Sequence, residues 1–65
     1  MVNAEKIRSL MTERGVTGKE LAEKAGIGEG LMSRIANGLR APSVEVLVRI
    51  AAELDCTVDE LIVKK

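Results

Sequence analysis

The sequence contains no Phe, Tyr, Trp or His, and only one Cys and one Pro in 65 residues. Without aromatic rings the core must be aliphatic, with Met11 and Met32 as adaptable fillers. Unpaired bases have no side chain on which to stack, which argues against single-stranded nucleic acid or RNA as a partner. There is no His, no Ser paired with a base, and no Gly-rich loop after a strand. Enzyme activity is therefore not expected. A lone Cys56 excludes an internal disulfide and a multi-thiolate metal site, and it reads as a small buried apolar residue. No twelve-residue stretch carries the alternating oxygens of a calcium loop. The acidic group Asp55, Asp59 and Glu60 fits helix capping and dipole complementation instead. Neither a cofactor nor a metal is expected. No signal peptide or membrane-length apolar run appears, so the expectation is a soluble, cytoplasmic chain with no membrane partner. Basic and acidic residues balance at ten each. Residues 1–40 carry seven basic and five acidic groups, and residues 41–65 carry three and five. That is a faint basic tilt, far from the footprint of a strongly basic nucleic-acid binder.

Aliphatic residues are plentiful. Apolar residues make up 46% of the chain, enough for a single small domain if its helices pack well. The most informative stretch is Thr17 to Asn37. Thr17 and Glu20 form a capping box at a helix start. Leu21, Ala22 and Ala25 then share one face. Gly26 stands where a helix needs a left-handed stop, and Ile27 plugs the turn. A second helix follows, with Leu31 or Met32 and Ile35 inward, and stops at Asn37-Gly38. Two short helices around a Gly turn, with the small Ala22 at their contact, make a helix-turn-helix pattern.

The flanks are helical as well. Asn3 caps a first helix over about 4–14, with Ile7, Leu10 and Met11 inward and Arg8 toward water. The motif helices span about 18–25 and 29–36. Ser43 caps a helix over about 44–54, with Leu47, Ile50, Ala51 and Leu54 on its apolar face and Val44 and Val48 widening it. Thr57 and Glu60 make a second capping box, opening a fifth helix over about 58–63. The fold class is all-α: one domain, residues 1–65, built as a compact five-helix bundle.

With these flanks, the stretch resembles the DNA-binding domain of the Cro and phage-repressor (XRE) family. The matching pieces are IRSLMTERGVT, LAEKAGI, SRIANGLRAPS and LVRIAAELDCTVDEL, in order and at the right separations. The resemblance implies a repressor-type transcriptional regulator that binds double-stranded DNA and places the helix starting near Glu29 in the major groove. By the same resemblance, Glu29, Gly30, Ser33 and Arg34 stand at base-reading positions. Arg34 is the best suited, since its guanidinium can meet guanine O6 and N7 together. Thr17, Lys19, Asn37, Gly38 and Arg40 match positions near the DNA backbone. Dimerisation in the family often uses the last helix and tail, which makes Leu61, Ile62 and Val63 candidates for a homodimer contact.

The chain departs from the family pattern where the family touches DNA. Gly18 replaces a common Gln that braces the DNA backbone. Gly-Glu-Gly-Leu opens the reading helix in place of Ser or Thr and polar readers. Met11 and Ala36 stand where the family commonly pairs an Arg with a Glu. Replacing both partners of an ion pair by apolar groups can be neutral or stabilising. An alternative expectation follows: a non-DNA-binding or engineered scaffold of the same fold, whose emptied reading face serves a protein, a small ligand or self-association.

Overall fold

Four α-helices form where capping signals meet apolar periodicity: α1 (Ala4–Arg14), α2 (Gly18–Ala25), α3 (Glu29–Ala36) and α4 (Val44–Glu53). A 3-10 helix, Val58–Leu61, follows. The computed structural model describes residues 2–62. The side chains of Asn3, Thr17, Ser43 and Thr57 each accept a backbone N–H at a helix start. Thr17 and Thr57 complete capping boxes with Glu20 and Glu60.

All four α-helices end in the same way. Val16, Ile27, Leu39 and Cys56 donate backbone N–H groups to Met11, Ala22, Arg34 and Ala51. These six-to-one bonds close Schellman motifs, which need a left-handed residue just past the helix. Gly15, Gly26 and Gly38 fill that place three times, and Asp55 (φ 54°) fills it after α4. Asp tolerates this region better than most side chains do.

The core is aliphatic throughout. Ile7, Leu21, Met32, Ile35, Ile50, Leu54 and Leu61 are its fully buried large side chains. Met32, not Leu31, takes the inward place on α3, while Leu31 is half-buried at the edge. Cys56 is half-buried against the core. Burial, then the neighbouring Glu60 carboxylate, pushes its thiol above the usual range.

Two expectations need correction. Val44 and Val48 do not join the apolar face of α4, being 79% and 50% exposed. α4 packs against α2 and the 3-10 helix, and Val46, on the other flank, is the valine that meets the core. The expected fifth helix is a single 3-10 turn that stops at Leu61. So short a segment has no propagation to offset nucleation. Ile62 instead becomes extended and forms an antiparallel bridge with Val2. Next to it, the Asn3 N–H donates to Leu61 O at 2.7 Å. Val63 lies outside the described residues.

α3 has the weakest start. Gly28 provides no side-chain cap, and Gly30 stands in the first turn. A Cβ at either position would meet open space. Gly28→Ser with Gly30→Ala should therefore stabilise the fold by about 0.5–1.5 kcal/mol. Urea denaturation should show a raised midpoint at unchanged slope.

Candidate nucleic-acid interface

α3 has two faces. Met32, Ile35 and Ala36 are buried, while Glu29, Gly30, Ser33 and Arg34 point to solvent. Glu29, Ser33 and Asn37 recur every four residues and form one stripe along the helix. Gly30 and Arg34 form the stripe beside it. The Arg34 guanidinium makes no hydrogen bond or ion pair among the described residues.

The first stripe is one wall of an open groove of about 510 Å³. Its other walls come from α1 and the start of α2. Lys19, Glu29, Ser33 and Asn37 are brought together here, and Arg8 of α1 joins them. The groove thus carries two cations and one carboxylate. Its floor is apolar, with Met11, Met32 and Ala36. Of the departures, Met11, Gly18, Glu29 and Ala36 line this groove, whereas Gly28, Gly30 and Leu31 do not. A Cβ on Gly18 would stand 3.9 Å from Met11 Cε, so the two positions share one wall. No buried side-chain N or O among the described residues lacks a partner.

Thr17, Gly38 and Arg40 lie outside this groove, and Asn37 stands at its end. Thr17 caps α2, its hydroxyl held by the Glu20 backbone and carboxylate. Asn37 donates its side-chain amide to Ser33 O at 2.8 Å, finishing α3. Gly38 and Arg40 line a separate groove with Val2, Ile35 and Leu39. Of the dimer candidates, Leu61 is fully buried and is not available to a partner, and Ile62 is half-buried.

Sequence reasoning missed two arginines. Arg8 is exposed, as its place on α1 suggests, and its Nη1 also donates to the backbone carbonyl of Ala36. Arg49 Nη1 donates to Ala25 O at 3.3 Å, and its Nη2 holds Glu45 Oε1 at 2.7 Å. Only the Glu45–Arg49 spacing of four was visible locally. The carbonyl partners lie 28 and 24 residues away in sequence.

Among the described residues, no cluster of His, Cys, Asp and Glu could hold a metal ion. No helix there is long and apolar enough to cross a membrane.

α2 and α3, joined by the left-handed turn at Gly26 and packed against each other with the outer face of α3 exposed, define a helix-turn-helix domain. The model of the Cro/C1-type HTH DNA-binding domain matches residues 6–64, and the chain belongs to that family. It is 36% identical over 62 residues to the HTH-type transcriptional regulator SinR of Bacillus subtilis, an alignment covering 94% of this chain and 56% of that protein. The chain thus spans little more than half the length of this relative. A crystal structure of SinR in complex with DNA superposes with a TM-score of 0.83 at 34% identity, covering 92% of this chain and 100% of that one. The restriction-modification controller protein C.AhdI of Aeromonas hydrophila gives a TM-score of 0.83 at 25% identity, covering 91% and 89%.

Proposed function

We propose that this domain reads double-stranded DNA as the recognition unit of a repressor-type transcriptional regulator in the cytoplasm. Its role is binding, not catalysis. The observation that carries this reading is the two-faced α3, with Glu29, Gly30, Ser33 and Arg34 outward and Met32, Ile35 and Ala36 locked in the core. α3 would enter the major groove start first. Arg34 would meet a base edge, with Glu29, Gly30 and Ser33 beside it. Lys19, Arg40 and the polar groups of Thr17, Asn37 and Gly38 would meet phosphates. Two copies would read the halves of a two-fold site. Ile62 is the one dimer candidate in the described residues that is not fully buried.

The test is the salt dependence of duplex binding. Each phosphate neutralised should contribute a slope of about −0.9 in log affinity against log salt. With Lys19 and Arg40 both engaged, a slope of about −2 per copy is expected. A slope near zero would contradict the reading.

The apolar floor of Met11, Met32 and Ala36 favours one second reading, in which the groove takes a small amphipathic ligand in place of DNA. A folded protein that binds no duplex at any salt would support that reading over the first.

A further inference from the structure

The last four carbonyls of an α-helix have no partner within the helix. In α3 each finds one. Ser33 O accepts from Asn37, Arg34 O from Leu39, Ile35 O from Gly38, and Ala36 O from Arg8. The first three donors follow directly in the chain, whereas the fourth comes from α1. α2 shows a similar arrangement at three of its last four carbonyls. Ile27 and Gly26 donate to Ala22 O and Glu23 O, while Ala25 O accepts from Arg49 of α4. The final carbonyl of each motif helix is thus held by an arginine from an outer helix. A guanidinium suits this place, because the helix C-terminus carries partial negative charge. Two further observations fit the Arg49 brace. Glu45, one turn earlier on α4, holds the guanidinium through its second nitrogen. An ideal Cβ on Gly26 would stand 2.9 Å from Arg49 Nη1, so the glycine leaves room for the arginine.

We propose that Arg8 and Arg49 are positioning residues for DNA reading. Arg8 ties the end of α3 to α1, and Arg49 ties the end of α2, the helix on which α3 packs, to α4; neither reads bases itself. The start of α3 has no side-chain cap, so the anchorage of this helix rests more on its C-terminal end. The inference rests on the DNA reading above, and its experiment has one arm that does not.

The variants are Arg8→Ala, Arg49→Ala, Arg8→Lys and Arg49→Lys. In the free protein, amide hydrogen exchange is followed along α2 and α3. The alanine variants should speed exchange in the last turn of the braced helix by about tenfold, the worth of one hydrogen bond to a charged donor. The lysine variants, which keep a cation, should recover part of the protection. Unchanged exchange in both alanine variants would overturn the proposal. On DNA, each alanine variant should bind the preferred duplex about tenfold more weakly, while mixed-sequence affinity and the salt slope stay as in the parent. For Arg8, which also borders the groove, equal loss on both duplexes with a slope shallower by about 0.9 would make it a phosphate ligand instead and overturn its positioning role. If the parent protein prefers no duplex, the DNA reading fails, and the exchange arm alone decides whether the arginines hold the motif.

Discussion

Replacing Ile50 with alanine should leave a large fraction of the protein unfolded at physiological temperature. Ile50 is fully buried on α4, the helix that packs against α2. Deleting its branched side chain removes transfer free energy and leaves a cavity, a cost of about 2–5 kcal/mol. Natural domains are stabilised by about 0.05–0.15 kcal/mol per residue, which for 65 residues is roughly 3–10 kcal/mol. The substitution thus removes a large share of the whole. Partial collapse of the surrounding aliphatic side chains would bring the loss toward the lower figure. Val48→Ala is the internal control. Val48 lies on the same helix but is half-exposed, and its loss should change stability by less than about 0.5 kcal/mol. Urea denaturation followed by circular dichroism separates the two cases. Equal midpoints for the two variants would mean that α4 is not seated as described.

Arg34→Ala should abolish most sequence preference while leaving the fold intact. Arg34 is exposed, with no side-chain partner among the described residues. Its contribution to the free protein is limited to the favourable charge at the end of α3, about 0.3–1 kcal/mol. A bidentate contact with guanine discriminates by about 1–3 kcal/mol, which is roughly a five- to hundredfold change in affinity for the preferred duplex. Competition binding with mixed-sequence DNA reads the effect as a ratio. If Arg34 meets a base, the ratio collapses and mixed-sequence affinity barely moves. If it meets a phosphate, both affinities fall together and the salt slope becomes shallower by about 0.9.

The backbone plan was legible wherever a short local rule governs it. Thr17 with Glu20, and Thr57 with Glu60, are rules four residues long, and both capping boxes form. Gly15 and Gly26 stop their helices as left-handed residues, as their place after an apolar run suggests. Sequence reasoning stumbled where the outcome depends on what lies across the fold. The periodicity of α4 admits Val44, Val46 and Val48 almost equally, and only the positions of α2 and the 3-10 helix select Val46. A capping box at Thr57 announces a helix start and says nothing about length. The pairing of Ile62 with Val2 spans the whole chain. The candidate site follows the same division. The outward face of α3 follows from its inward one, by a period of 3.6 residues. That Met11 and Ala36 are partners could be read only through the family resemblance, and that Gly18 lines the same groove had no signal in the sequence. The braces from Arg8 and Arg49 have no local signature, because a surface arginine looks the same whether or not a distant carbonyl waits for it.

Selection from random duplexes at about 0.1 M salt, where phosphate contacts still contribute strongly, tests the central claim most directly. The account predicts enrichment of a two-fold motif, with half-sites about one helical turn apart if two copies bind one face of the duplex. No enrichment from a protein that is folded and helical would contradict it, and would direct attention to the apolar groove floored by Met11, Met32 and Ala36.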